Sequence, residues 1–302
     1  MIEHFVTAPQ WEWYIVWYFF LGGIAGGIYA LGAILRLMGD QRDAPIARLA
    51  FLLCLPILLI CPILLTLDLG RPLRFWHMMI DSRTFTLNFK YWSPMSVGVW
   101  VLLIFSVFAL VSFLEAAANL RTGRAPFLVG GLGRAFVAVG AFFGLFLAGY
   151  TGVLLSVSNQ PVWSDTWALG ALFLASGLSV AAATLSLASR LGRHERSAEA
   201  KLTRADRYFI VLELALLIVF FVSLGAAGSR FLSPRWMALW VVVLIGTLIP
   251  LALHFFPERR TPAMLAAVLT LAGNKNALQL SWRLWQGRLE THQTILPGVN
   301  LH

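Results

Sequence analysis

Apolar residues in this protein fall in long uninterrupted runs, not at the spaced positions that line a soluble core. Runs of about 18 or more such residues with almost no charge read as membrane-spanning helices. The pattern predicts eight spans, at roughly 13–36, 48–69, 94–118, 131–157, 166–189, 207–229, 235–256 and 262–281. Residues 282–302 are left as an extramembrane tail. The expected fold is an all-α polytopic membrane helix bundle, one integral domain over the 302 residues. The first run ends in Arg36 without a cleavage-like site and is expected to be a retained helix. In the eighth, the apolar part from Ala263 to Ala272 rises only about 15 Å. Gly273-Asn274-Lys275-Asn276 follows it, so that polar group must face protein or water, or the helix stops short.

Composition agrees with the pattern: 59% of residues are hydrophobic and 12% charged, against roughly 25% charged in a soluble domain. The net charge of +9 would suit nucleic acid, but the basic residues sit in short loops between apolar runs, where membrane topology accounts for them. Alternate loops carry unequal numbers of Lys and Arg, fourteen on the side of Arg36, Arg121 and Arg190 and nine on the other. The positive-inside rule then puts the N-terminus outside a cytoplasmic (inner) membrane, and an even number of spans returns the C-terminus to the same face.

Four of the nine outer charges, Arg71, Arg74, Arg83 and Lys90, crowd into the segment from Gly70 to Ser93. Local variation is one explanation. The other is a loop that binds an anion or docks a partner. Trp11-Glu12-Trp13-Tyr14 and Tyr91-Trp92 mark the same boundary, where rings with one wet end favour the interface.

Several functions lack their residues. A membrane cytochrome needs pairs of axial histidines at matched depth, yet His4, His194, His292 and His302 fall in loops or tails, and His77 and His254 at opposite ends. Cys54 and Cys61 share one span without a CxxC or a Cys/His cluster, so no haem or metal is expected in this protein. Gly22-Gly23-Ile24-Ala25-Gly26-Gly27 follows no strand and lies inside a span; small residues at that spacing let helices approach closely. Pro56 and Pro62 break the second span, but no matching pair in the second half signals the inverted repeat of a transporter.

Ionisable groups inside spans cost about 2.5–3.5 kcal/mol on insertion scales and need a reason. Asp68 ends the second span; it is either an acid paired with Arg71 or Arg74, or a carboxylate exchanging protons with a redox headgroup. Glu213, two turns into the sixth span, either bonds a neighbouring helix or is one station of a proton relay. Glu115 and Arg36 lie at inner helix ends, where snorkelling is sufficient, although Glu115 is a further candidate for proton transfer. Tyr150 sits in Gly149-Tyr150-Thr151-Gly152, where glycines leave space around a phenol; its partner is either a helix carbonyl or a quinone carbonyl.

Four stretches carry a family resemblance: Phe20-Leu21-Gly22-Gly23-Ile24-Ala25-Gly26-Gly27, Leu67-Asp68-Leu69-Gly70-Arg71-Pro72-Leu73-Arg74-Phe75-Trp76-His77, Ser93-Pro94-Met95-Ser96, and Gly149-Tyr150-Thr151-Gly152-Val153-Leu154-Leu155-Ser156. Over Trp13 to about Gly273 the sequence resembles the membrane-anchor subunits of polysulfide and nitrite reductases, the NrfD/PsrC-like proteins. The second and fourth stretches are the more specific.

The resemblance implies a quinone site in the first four-helix bundle, with menaquinone or ubiquinone as bound substrate. It also implies an iron–sulfur subunit docked on the outer, periplasmic face and a catalytic subunit beyond it, often a molybdopterin enzyme. Tyr150 falls where the family places a tyrosine on a quinone carbonyl, Asp68 at its pocket carboxylate and His77 at a histidine of the docking face. Arg71 joins this quinone set, and Arg74, Arg83 and Lys90 would face the partner. Tyr18 stands where some members have histidine, and Ile15 replaces a polar contact, which leaves Tyr14 or Tyr18 as the second carbonyl partner. The expected function is a quinone-reacting subunit of a respiratory oxidoreductase; a proton-coupled transporter and a passive anchor without a quinone site are the rival classes.

Overall fold

A computed structural model describes residues 13–81, 84–123, 127–158, 166–191, 196–224, 241 and 245–252, without the side chains of 196–199. Six long helices are described: α1 (Trp13–Met38), α2 (Ala44–Asp68), α3 (Pro94–Thr122), α4 (Gly130–Ser156), α5 (Leu169–Leu191) and α6 (Arg196–Ser223). The first five are each long and apolar enough to cross a bilayer. In α6 the first turns are charged up to Arg207, and the rest carries Glu213 as its one charged residue. The predicted seventh span is described only at 241 and 245–252, where the backbone is helical. The eighth span, the Asn274-Lys275-Asn276 group and the tail lie outside the described residues, as does Arg83.

Helix ends follow local chemistry. Pro45 and Pro94 occupy first turns, where a missing N–H costs nothing. The Ser93 hydroxyl accepts from the Ser96 amide at the start of α3, and Gly123, at φ 62°, ends that helix in the left-handed conformation that glycine adopts without strain. Pro56 and Pro62 lie inside α2, and the Thr66 hydroxyl donates to the Pro62 carbonyl at 2.7 Å.

Helix α1 is the axis of the assembly, with 78% of its apolar stretch buried against 33% for α3. Its glycines explain this centrality. A Cβ on Gly26 would strike the backbone of Gly144 on α4, and one on Gly27 would sit 2.6 Å from Ala181 and 2.8 Å from the Gly177 carbonyl on α5. The glycine run therefore serves two helix contacts at once, by letting backbones approach where any side chain would hold them apart. Helices α2, α3 and α4 close a four-helix group with α1; α5 lies against α1 and α4, and α6 against α5. The outward faces, such as Ile63, Val107 and Phe142, are exposed and apolar, as lipid contact requires.

Polar contacts define the two ends. At the arginine-rich end Arg36 makes a bidentate ion pair with Glu115 and donates to the Leu128 carbonyl, while the Leu128 amide donates to Glu115. Lys201 of α6 reaches Asp43 and Asp40 in the α1–α2 connection at the same end. At the opposite end Tyr150 bonds Pro94, and Thr166 bonds Ser223 at 2.6 Å.

Candidate functional site

The family-like residues gather at the end opposite the arginines. Tyr18 and Tyr150, far apart in sequence, become neighbours because α1 and α4 touch through glycine, and Cys61 of α2 joins them within electrostatic range of the Tyr18 hydroxyl. All three are nearly or fully buried. Gly22 leaves room beside the Tyr18 ring, since a Cβ there would only just touch it at 3.8 Å. Gly98 does more for Tyr150: any Cβ at that position would collide with the phenol ring. Phe146, one turn earlier on α4, stacks on the same ring at 6.1 Å.

The two phenols differ in what they can do. The Tyr150 hydroxyl donates to the backbone carbonyl of Pro94, so one of the two partners left open by sequence, a helix carbonyl, is occupied here. No hydrogen bond joins the Tyr18 hydroxyl to another described residue. Tyr18 is therefore the donor available to a ligand, and Tyr150 becomes one only by leaving Pro94. Tyr14 is half-buried further out, its ring 4.2 Å from that of Trp13. Ile15 is buried in the same core cluster as Tyr18.

Above this cluster the backbone leaves α2 at Asp68, which is half-buried. A 3₁₀ stretch, Pro72–Met78, carries the basic loop across the end of the bundle. Arg71, Arg74 and Lys90 are exposed, together with Leu73, Phe85, Leu87, Tyr91 and Trp92. His77 is half-buried, its Nδ1 3.1 Å from the Arg74 carbonyl and its ring stacked on Trp76 at 3.8 Å. The loop is anchored to α3 where the Lys90 amide donates to the Ser96 hydroxyl at 3.1 Å.

Two sequence candidates lie elsewhere. Glu115 is at the arginine-rich end, buried and held by Arg36 and the Leu128 amide; it is a paired carboxylate, not a snorkelling one. Glu213 is on α6, which packs on α5 and the α1–α2 connection, away from the two phenols. Sequence reasoning passes over Cys61, uninformative for redox, and Gly98, whose bare surface seats the tyrosine. Asp206 falls just before the predicted sixth span at 207–229, yet the residue is buried and accepts from Ser179.

A family model described as "Polysulphide reductase, NrfD" matches residues 2–284. The chain belongs to the NrfD family. Among relatives of this NrfD-family protein, Protein NrfD of Escherichia coli strain K12 is 26% identical over 85% of this sequence and 88% of its own. The Protein NrfD homolog of Haemophilus influenzae is 29% identical over 83% and 84%. The C subunit of the polysulfide reductase of Wolinella succinogenes is 26% identical over 90% and 92%. Family membership and the apolar helices together make this a multi-pass membrane protein.

Proposed function

We propose that this protein is the quinone-reacting membrane subunit of a respiratory oxidoreductase complex, exchanging electrons with an iron–sulfur subunit on the outer face. One observation carries the reading: two buried phenols from different helices come within electrostatic range of each other near an exposed, basic and aromatic loop, and the hydroxyl of one of them, Tyr18, bonds none of the described residues. A quinone headgroup is a flat apolar ring with two acceptor oxygens, and such a ligand needs a donor in an apolar slot. The glycines at 22 and 98 keep that region free of side chains of their own.

In this reading Tyr18 donates to one quinone carbonyl, and Tyr150 shifts from Pro94 to the other. Asp68, at the end of α2, exchanges protons between the site and the outer solvent. Arg71, Arg74 and Lys90 face the docked subunit and bring its cluster near the ring; His77, fixed by the Arg74 carbonyl and Trp76, belongs to the same face. Quinone chemistry moves two electrons and two protons; the protein's own part is to bind, orient and deliver protons. One relative is named as a single subunit of a polysulfide reductase, which supports a multi-subunit assembly whose catalysis lies in another subunit. The end carrying Tyr18 then faces the periplasm and the arginine-rich end the cytoplasm.

The test is to purify the complex from its native membranes, determine iron, molybdenum and quinone, and compare wild type with Tyr18→Phe. An iron–sulfur partner with an inhibitor-sensitive quinone reaction that weakens at least tenfold in the variant supports the proposal, since a hydrogen bond to a ligand is commonly worth about 1.5 kcal/mol. A lone protein, or a partner-bound one without any quinone reaction, refutes it.

A further inference from the structure

Two carboxylate oxygens among the described residues are buried without a hydrogen-bond partner, Glu213 Oε2 and Asp43 Oδ1, the first on α6 and the second beside it. Their surroundings form a polar seam between α5 and α6. Residues 202, 206, 210, 213 and 220 make one buried stripe on α6 at helical spacing, with carboxyls at 206 and 213. Helix α5 answers with hydroxyls: Ser179 donates to Asp206 at 3.0 Å, and Ser176 bonds Glu213. These serines are three residues apart, about 4.5 Å of rise. The two acids are seven apart on α6, yet their carboxyls converge on adjacent turns of α5. Further toward the arginine-rich end stands Ser186, in contact with Arg190. The seam opens beside Lys201, half-exposed, which bonds Asp43 at 2.7 Å and Asp40 at 3.1 Å.

We propose that Glu213 and Asp206 form a proton-holding pair inside the membrane, loaded from the arginine-rich face past Lys201 and Asp43. Asp43 has Lys201 beside it, whereas Glu213 meets, among the described residues, only the Ser176 hydroxyl and the carboxyl of Asp206. On α5 the charged group is Arg190, at the far end of the helix; on the α1–α2 connection they are Asp40 and Asp43, engaged at the mouth. A buried carboxylate with one bare oxygen and an acidic neighbour is neutralised by taking a proton. From Lys201 to Glu213 is twelve residues, about 18 Å of rise, of which the six residues past Arg207, about 9 Å, lie in the apolar part of α6. Acids and hydroxyls repeat along that length, so a proton entering from the mouth has acceptors spaced across it. The step is a simple transfer: a solvent proton adds to the Asp206 carboxylate and passes to Glu213, leaving Asp206 ionised again.

The seam lies outside the α1–α4 group, so it does not depend on the quinone reading. The test uses the full-length protein in native membranes, with its partners if it has them, and dicyclohexylcarbodiimide, which modifies protonated carboxyls in apolar surroundings. Mass spectrometry of the labelled protein is expected to find an adduct at Glu213 that fades as pH rises. Asp206→Asn should move that loss to lower pH, because a like charge has gone, and in sealed vesicles holding a pH difference the adduct should follow the pH on the arginine-rich side. Absence of the adduct, or an adduct indifferent to pH and to Asp206→Asn, overturns the proposal; protection by sodium ions at constant pH overturns it in favour of a metal cation. Because the wild-type protein gives the main readout, a Glu213 variant that fails to fold does not spoil the test. Labelling that behaves as stated beside an absent quinone reaction would sink the proposed function alone.

Discussion

Tyr150 of α4 gives its phenolic hydrogen to the backbone carbonyl of Pro94, and its ring lies over Gly98, one turn further along α3. The start of α3 is thus clasped to α4 by a donor and a bare patch of helix. A carbonyl oxygen has two lone pairs, so Pro94 can accept the phenol without leaving its helix. The glycine keeps the floor flat.

The clasp predicts opposite consequences for its two halves. Gly98→Ala forces a methyl into the ring and should cost about 1–3 kcal/mol by overpacking, together with displacement of Tyr150. Tyr150→Phe removes only the hydroxyl and should cost about 0.5–1.5 kcal/mol. Thermal unfolding of the detergent-solubilised protein measures both; a Gly98→Ala variant as stable as wild type contradicts the packing described here.

Tyr18 separates binding from stability. Its hydroxyl bonds no described residue, so Tyr18→Phe should leave the melting temperature nearly unchanged while weakening quinone turnover. Equal loss in both measurements would make Tyr18 a structural residue.

Arg36 and Glu115 illustrate a buried pair whose halves cannot be removed singly. Arg36→Ala would leave the Glu115 carboxylate with the Leu128 amide alone, deep in the protein. Breaking such a pair commonly costs about 3–5 kcal/mol; the partial exposure of Arg36 places the expectation at the lower end. The double variant Arg36→Met with Glu115→Gln should recover part of the loss, which a double-mutant cycle on unfolding midpoints will show.

At the mouth of the α5–α6 seam, bonds from Asp43 and then Asp40 raise the Lys201 pKa above its ordinary 10.5. The contact contributes fully below that ordinary value, and the contribution disappears as pH climbs through the raised folded value. Wild type should therefore lose stability in strongly alkaline buffer relative to Lys201→Gln, which lacks the lysine and has nothing to lose there. Parallel pH-dependent slopes for the two proteins contradict the assignment.

Much of this architecture is legible along the sequence. Apolar runs predict the six described helices to within a few residues at most ends, since a lipid-facing helix must be apolar along its whole length. Four ends differ by four residues or more. The second helix begins at Ala44, where Pro45 suits a first turn, the third runs on to Thr122, and the sixth covers Arg196–Ser223 instead of 207–229; charged residues outside the hydrocarbon carry a helix as well as apolar ones do. Glycine spacing on the first run announces close packing, and Tyr150, Tyr18 and Asp68 stand out in local motifs.

What the linear order could not say is which helices meet. Tyr18 comes within range of Tyr150 because Gly26 seats α1 directly on α4, and of Cys61 because α2 packs along α1. Glu115 reads as a helix-end acid until the bundle brings Arg36 to it, and Asp206 lies one residue before the predicted sixth span until α6 turns it toward Ser179. Hydrophobic period determines that a segment is a helix and whether lipid surrounds it. Pairing of polar groups is a matter of interhelical distance and rotation, quantities that no single segment carries and that only the packed bundle decides.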